Sequence, residues 1–354
     1  MGAIQHSKMW RLPILLEMSV QIRNEVQEML KVGIITPSDS PRAAPVVLVD
    51  KPDGSIRFFV DYQKLNHVTK ANAYPMPLLD DLIETIGRCH FITFLDMIKG
   101  YYQVKMYPGD QEKTAFRSPL GLYEFKVMAF GLKNAPATFQ RLVDGILHGL
   151  GEFTVAYLDD IAIFSQTWSE HKEHLELVLQ RIKETGLTIK ASKCQIGDSE
   201  IKYLGHMVGG GIIKPSETKV EAITNWPIPT SKKKVRAFLG LAGFYRNFFP
   251  KFSELAAPLT NLTRKKEPES VEGTSAGQQS FDALKNSLTT GPVLIAPNHD
   301  LEFTIFTDAS NAGIRAMLCQ PGEEDNLHPI MYVSKKLLPR EKHLSTIEKD
   351  NENQ

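Results

Sequence analysis

Asp159 and Asp160 stand side by side between two short apolar stretches, Phe153-Thr154-Val155-Ala156 before Tyr157-Leu158 and Ile161-Ala162-Ile163-Phe164 after. Runs of β-branched and aromatic residues bounding a polar pair predict a hairpin with the acids at its tip. Neighbouring carboxylates repel, and their pKa values are pushed apart unless a cation sits beside them. A solvated turn would account for an isolated Asp-Asp, since Asp favours turns. A third acid changes that reading. Asp96 ends the apolar run Phe91-Ile92-Thr93-Phe94-Leu95, another strand-like stretch. An Asp at the end of a buried strand, facing a hairpin that carries two more, makes a hard oxygen site. Such a site suits Mg²⁺, which takes a few carboxylates and completes its shell with phosphates and water. Two such ions about 3.5–4 Å apart can activate an attacking hydroxyl and stabilise a leaving pyrophosphate. The chemistry these acids point to is nucleotidyl transfer.

Strands must hold the acids, and helices must back the strands. Residues 19–31 predict a helix with Ile22, Val26, Met29 and Leu30 on one face and Gly33 at its end. Residues 46–49 and 56–60 predict a hairpin around Pro52-Asp53-Gly54. Lys51 and Arg57 flank its turn, where edge charge alone would discourage aggregation. A helix is expected over 77–86 with Leu79, Leu82, Ile83 and Ile86 inward. Asn134 is the expected N-cap of a helix with Pro136 in its first turn. Its apolar face would be Phe139, Leu142, Val143, Ile146, Leu147 and Leu150. Thr167-Trp168-Ser169-Glu170 is a capping box. It opens a helix that turns Leu175, Val178, Leu179 and Ile182 inward and ends at Gly186. His171 and His174 lie three apart on that helix, but no second pair answers them as a metal site requires, so both are expected in solvent.

Farther on, Lys232, Lys233, Lys234, Arg236, Arg246 and Lys251 meet no acid between Thr230 and Lys251, and aromatics interleave with them. That pattern fits a solvated face over a core. Residues 267–279 are polar and rich in Gly, Ser and Pro, as a linker would be. A short helix is expected over 280–288. A strand over 301–307 leads to Asp308, and two more strands follow over 314–320 and 329–335.

The bulk numbers bound these readings. A chain of 354 residues with 42% apolar content supports two or three domains with real cores. Lys+Arg and Asp+Glu balance at 41 each, so any basic, nucleic-acid-binding surface must be local. Cys89, Cys194 and Cys319 are scattered, which fits a reducing compartment and argues against a structural zinc site. No apolar run is long enough to span a bilayer, and no secretory signal is visible. His6 stands where a myristoylation motif after Gly2 needs Ser or Thr. A cytoplasmic or nuclear, non-secreted and membrane-free protein is expected.

YLDD, FITFLDMIKGYYQV and AFGLKNAPATFQ resemble motifs of the reverse transcriptases of gypsy-type long-terminal-repeat retrotransposons. SPRAAPVVLVDKPDGSIRFFVDYQKLN upstream continues the resemblance, as do TGLTIKASKCQIGDSEIKYLGHMV and VRAFLGLAGFYRNFFPKFSELAAPLTNL downstream. YLDD alone is a weak signal; six blocks in the family's order are specific. The resemblance implies an α+β right-hand polymerase with a truncated RNase H-like α/β fragment. It places a leading segment at 1–33, fingers and palm at 34–210, thumb and connection at 211–266, a linker at 267–279 and the fragment at 280–354. It implies an RNA-directed DNA polymerase that uses two Mg²⁺ ions (Mn²⁺ as a substitute), deoxynucleoside triphosphates and an RNA or DNA template with primer. Oligomeric state is left open.

By the same resemblance, Asp96 and Asp159 bind metal with Asp160 in support. Lys51 and Arg57 hold the triphosphate, as a point charge and a bidentate fork suit. Tyr101 packs under the sugar and excludes a 2′-hydroxyl, although a buried Tyr is equally a core residue. Phe130 and Gly131 wall the nucleotide pocket. Lys193 lies in the block that closes over the palm, Leu204-Gly205-His206 resembles the primer grip, and the cations of 230–251 meet a duplex backbone. Asp308 resembles the first catalytic Asp of a ribonuclease H. Asp350 stands where a Glu is usual, residues 351–354 leave the pattern, and Arg315 replaces a small residue, so no RNase H activity is expected. Departures at Phe59, Gln63 and Ala129 keep a second reading open, a catalytically silent remnant that at most binds nucleic acid.

Overall fold

The computed structural model describes residues 12–50, 56–271, 274–290, 293–310, 313–322 and 326–337. The expectations for Lys51, for the Arg57 side chain and for residues 344–354 fall outside the described residues. The chain divides into two compact units. One takes Met1–Pro77, Leu95–Ile161 and Glu176–Cys194, and the other Leu78–Phe94, Ala162–Leu175 and Gln195–Gln354.

In the first unit a five-stranded sheet runs in the order Ile35–Pro37, Gly121–Phe125, Phe116–Ser118, Ala44–Asp50, Ile56–Val60. The hairpin expected over 46–60 forms, with Val46 opposite Val60 and Asp50 opposite Ile56. Phe58, Phe116, Tyr123 and Phe125 fill the core beneath it, and Val26 and Met29 of the helix Leu12–Lys31 close that core. The helix stops at Gly33, whose φ of 74° is left-handed and costs a glycine little. Farther along, the helix Ala135–Ile146 buries Phe139, Val143 and Ile146. Leu142 and Leu179, both expected inward, are each 37% exposed. At 3.6 residues per turn each falls at the edge of its apolar stripe, so the core is closed without it. Asn134 holds the N-cap position without a side-chain cap bond. Its amide accepts from Asn72 N at 3.0 Å and donates to Lys70 O at 2.9 Å, fastening a loop.

The second unit carries an antiparallel sheet ordered Ile201–Tyr203, His206–Gly209, Ile212–Pro215, Leu294–Ile295. Beside it, Phe238 of the helix Lys232–Phe244 packs on Phe281 of Ser275–Thr289 with ring centroids 4.5 Å apart. The latter helix starts inside the stretch expected to be a linker, because Thr274 Oγ1 accepts from Gly277 N at 3.1 Å and caps it. The cations of 230–251 are only partly solvated. Lys232 is buried and donates to Arg264 O at 2.7 Å, Arg236 donates to Thr263 O at 3.0 Å, and Arg246 donates to Ser334 O at 2.9 Å. Two of these carbonyls lie just past the helix Ala257–Leu262, at the end whose dipole attracts cations.

His171 corrects the expectation of solvent. It is fully buried. Its Nε2 lies 2.7 Å from Thr93 Oγ1 and its Nδ1 3.0 Å from Ser165 Oγ, which in turn lies 2.8 Å from His174 Nδ1. Thr93 Oγ1 also accepts from Gly197 N at 3.1 Å. Trp168 stacks on the His171 ring at 5.9 Å. The capping box that starts this helix forms as expected, with Glu170 N donating to Thr167 Oγ1 and Thr167 N donating to Glu170 Oε2.

A three-stranded antiparallel sheet, Thr304–Ala309, Gly313–Pro321 and Leu327–Lys336, completes the described part of this unit. Its strands match the expected ones within a few residues. Asp308 and Arg315 are cross-strand partners.

Candidate active site

The acids sit where strands end. Thr154–Tyr157 and Asp160–Ser165 are neighbouring strands, and Phe91–Asp96 lies next to the latter. Between the first two, Leu158 takes a left-handed φ of 57°, a conformation a β-branched or bulky side chain adopts only when its surroundings enforce it. Gln140 does the enforcing. Its Oε1 accepts from Leu158 N at 2.7 Å, and its Nε2 donates to Ala156 O at 3.0 Å and to Asp144 Oδ1 at 2.8 Å. Asp144 in turn accepts from Tyr74 Oη at 2.6 Å. Gln140 is completely buried, and two of its three hydrogen bonds go to this turn. Sequence reasoning gave Gln140 no role. The available signals were a polar residue beside the apolar face of Phe139, Val143 and Ile146 and its place at the end of the block AFGLKNAPATFQ.

Asp96 joins the hairpin through the backbone, since Met97 N donates to Asp159 O at 3.2 Å. On its other side, Lys190 N donates to Asp96 O at 2.8 Å, and Lys193 Nζ reaches Asp96 Oδ2 at 3.2 Å. Gln103 ties the following turn down by donating to Ile98 O and Thr188 O while accepting from Thr188 N at 2.7 Å. Lys99 within that turn is left-handed, with φ 46°.

The electrostatics follow from this crowding. Desolvation pushes the Asp160 carboxyl up to about 7, with Asp159 and then Asp96 adding to the rise and Lys193 opposing it. The Asp159 carboxyl is also raised, first by desolvation and then by Asp96. Negative charge is in excess here, and Lys193 relieves only part of it.

The donors are carboxylate oxygens, as a hard divalent cation prefers. Among the described residues no three His, Cys, Asp or Glu side chains form a ready-made metal cluster.

Tyr101 stands beside the acids. Its ring packs at 5.1 Å on Phe130 and at 5.5 Å on Phe139, and burial followed by the Asp159 charge pushes its hydroxyl up to about 12. A Cβ on Gly100 would lie 2.8 Å from Phe139 and 3.3 Å from Asp159, so the backbone here needs a glycine. Gly131 has φ 92°, and a Cβ there would lie 3.3 Å from Val60 O. Tyr101, Phe130 and Gly131 therefore form one wall in the same unit as the three acids.

The other expected site residues are placed differently. His206 is 6% exposed and covered by aromatic rings, so its side chain cannot touch a primer. Leu204 and Gly205, the turn before it, remain partly open. Asp308 is ion-paired to Arg315 at 2.6 Å.

Residues 49–208 match the family described as reverse transcriptase (RNA-dependent DNA polymerase), and 274–351 match the RNase H-like domain found in reverse transcriptase. The retrovirus-related Pol polyprotein from transposon 297 of Drosophila melanogaster is 39% identical over 340 residues, 94% of this chain and 31% of that protein. The Pol polyprotein from transposon opus of the same organism is 37% identical, covering 96% of this chain and 35% of its own length. The transposon Tf2-3 polyprotein of Schizosaccharomyces pombe is 35% identical over 93% of this chain and 25% of its own length. The chain thus spans about a third or less of the curated relatives it matches.

Among solved structures, the foamy viral protease-reverse transcriptase dRH in complex with double-stranded DNA superposes with a TM-score of 0.85 at 24% identity, covering 94% of this chain and 58% of that one. The same viral enzyme with an RNA/DNA hybrid gives 0.83 at 23% identity, covering 94% of this chain and 45% of that one. The fold is accordingly the α+β right-hand polymerase fold. Residues 49–208 thus carry a reverse transcriptase domain and 274–351 an RNase H-like domain of the kind found in reverse transcriptases, in a chain similar over most of its length to retrotransposon Pol polyproteins.

Proposed function

We propose that the chain is an RNA-directed DNA polymerase that extends a primer with deoxynucleotides. The observation that carries this reading is the convergence of Asp96, Asp159 and Asp160 at one set of strand ends, with Asp160 raised to about 7 by desolvation and by the other two. Carboxylates that raise one another in this way, with Lys193 offsetting only part of the charge, favour binding a cation.

Asp96 and Asp159 would hold two Mg²⁺ ions, with Asp160 steadying the charge; Mn²⁺ suits the same oxygens. The ions, when bound, polarise the attacking hydroxyl and neutralise charge on the leaving pyrophosphate. In the transfer, the primer 3′-oxygen forms a bond to the α-phosphorus, and the bond from that phosphorus to the bridging oxygen breaks. Tyr101, seated on Phe130 and Phe139, walls the sugar of the incoming nucleotide, and Gly131 lets the backbone approach it. Lys51 and Arg57 take the triphosphate, and the template–primer is a nucleic-acid duplex, as in the viral relatives' complexes.

The test is Asp159→Asn in a primer-extension assay on an RNA template. The change removes a charge and keeps the shape. Incorporation is expected to fall by about a thousandfold or more, the equivalent of several kcal/mol of barrier, while template–primer binding persists. Equal extension by both proteins would overturn the assignment of the acids. No extension by the unsubstituted protein would overturn the polymerase reading itself.

A further inference from the structure

Two hydrogen bonds of Gln140 hold the turn that leads into Asp159, and the third goes to Asp144. Gln140 and Asp144 lie four residues apart on the helix Ala135–Ile146, the spacing at which a Gln and an Asp side chain meet. Asp144 Oδ1 accepts from Gln140 Nε2 at 2.8 Å, and Asp144 Oδ2 accepts from Tyr74 Oη at 2.6 Å. Hydrogen bonding to Asp144 raises the Tyr74 hydroxyl, which keeps the proton it donates. A carboxylate accepts and does not donate, so the direction of these bonds is fixed. The two N–H groups of Gln140 go to Asp144 and to Ala156 O, which leaves Oε1 for Leu158 N.

Tyr74 stands outside that helix, in residues 70–77, which form neither helix nor strand. The same stretch is fastened at the other end of the helix. There Asn134 Oδ1 accepts from Asn72 N at 3.0 Å, and Asn134 Nδ2 donates to Lys70 O at 2.9 Å. Tyr74 N donates in turn to Asn72 Oδ1 at 3.1 Å. A strap thus runs along the helix from its N-cap to its last turn, and it ends in one phenol on one carboxylate. Tyr74, Asp144, Gln140, Leu158 and Asp159 all lie in the same compact unit.

We propose that Tyr74 and Asp144 are positioning residues that fix the Gln140 amide and, through it, the turn that presents Asp159 and Asp160. The expected effect on rate rests on the polymerase reading. A glutamine has three torsions to freeze, and a side chain already held by a neighbour loses less freedom when it bonds the turn. Leu158 depends on that bond, because its left-handed φ of 57° is unfavourable for a leucine. Without the Tyr74 hydroxyl the Asp144 carboxylate is free to turn; without the carboxylate the amide is, and the acids move with the turn it holds. A small misplacement of groups that act on the reacting atoms costs rate more than affinity.

Tyr74→Phe keeps the ring and deletes the donor, and Asp144→Ala removes the acceptor. Each is made in the full chain, alone and together with Gln140→Met. Amide hydrogen exchange over residues 154–161 is expected to speed up in both single variants. Single-turnover primer extension is expected to slow about twofold to tenfold, the effect of one lost hydrogen bond, with the apparent deoxynucleotide affinity and the template–primer Kd unchanged. Once Gln140→Met is present, neither change is expected to alter exchange or rate further, since residues that act through one partner are not additive.

Unaltered exchange over 154–161 in both single variants would overturn the relay whatever extension does. Effects that add in full to those of Gln140→Met would overturn it too, since a purely structural pair behaves that way. If Gln140→Met does not fold, Tyr74→Phe on Asp144→Ala closes the same cycle one step earlier, and full additivity there is equally fatal. Faster exchange with unaltered extension, or a rate loss that arrives with a weaker template–primer Kd, would overturn the positioning role. If the unsubstituted protein extends no primer, the polymerase reading fails and the effect on rate fails with it, while the exchange data still decide the relay.

Discussion

The side-chain amide of Gln140 brackets the turn between Ala156 and Asp159, accepting from Leu158 N at 2.7 Å and donating to Ala156 O at 3.0 Å. One buried side chain thus dictates where the backbone must bend to present Asp159 and Asp160. Gln140→Met keeps the length and removes the bonding. It leaves a buried N–H and C=O without their partner, a loss of about 1–3 kcal/mol for each group left unsatisfied. A urea titration is expected to show a loss of that order. Primer extension well below the unfolding midpoint is expected to fall by tenfold or more. Extension equal to that of the parent protein would mean the turn keeps its shape without Gln140.

Tyr101→Val addresses sugar selection. The ring is pinned between Phe130 and Phe139, so it does not swing aside to admit a bulkier sugar. Shortening it opens room for a 2′-hydroxyl. The preference for deoxy- over ribonucleotides, measured as a ratio of kcat/KM values, is expected to drop by about tenfold or more, the scale of a steric contact in a substrate pocket. An unchanged ratio would leave Tyr101 as packing alone.

His171 predicts a pH dependence. Burial, and then His174, lower its pKa from the usual 6.5. Below 6.5 the unfolded chain takes up a proton that the folded chain refuses. Stability from this group is therefore complete above pH 6.5 and is lost as pH falls toward the lowered value. His171→Gln cannot titrate. Its urea midpoint is expected to be lower than the parent's at pH 8, with the gap narrowing at pH 5.5. A constant gap across that range would mean His171 does not titrate as its burial requires.

Asp308 and Arg315 give a prediction for the RNase H-like domain. The guanidinium lies 2.6 Å from Asp308 Oδ2 and 3.6 Å from Glu254 Oε1. A carboxylate already paired with a fixed cation is a poor first ligand for a divalent ion. Labelled RNA in an RNA–DNA hybrid is expected to stay intact with this chain in Mg²⁺ or Mn²⁺. Because the Asp308 side chain is 63% exposed, the pair itself contributes about 1 kcal/mol or less. Arg315→Gln should barely move the urea midpoint. Cleavage that is abolished by Asp308→Asn would refute the assignment.

The order of elements was legible in the sequence because it rests on local rules. Runs of apolar, β-branched and aromatic residues placed the strands that end at Asp96 and begin at Asp160, and the two strands expected over 46–60 pair with each other. The capping box at Thr167 and Glu170 was visible for the same reason, since its bonds span three residues. The acids themselves were legible from type and place, because a carboxylate at a strand end needs a cation to justify it.

Contacts between distant residues were decided only in three dimensions. Gln140 acts on a turn 18 residues away, Lys193 on an acid 97 residues away, and Tyr245 on a carbonyl 40 residues away. No spacing rule reaches that far. Burial also separated residues that look alike in the chain. His171 reads as one of two surface histidines until Thr93, Ser165 and Trp168 close over it. Lys232 and Arg236 read as free cations until the carbonyls just past the helix Ala257–Leu262 accept from them. Sequence determined which residues could do chemistry and which elements carry them. Tertiary packing decided which side chains keep that chemistry and which spend it on the fold, because partners and desolvation arise only when distant segments meet.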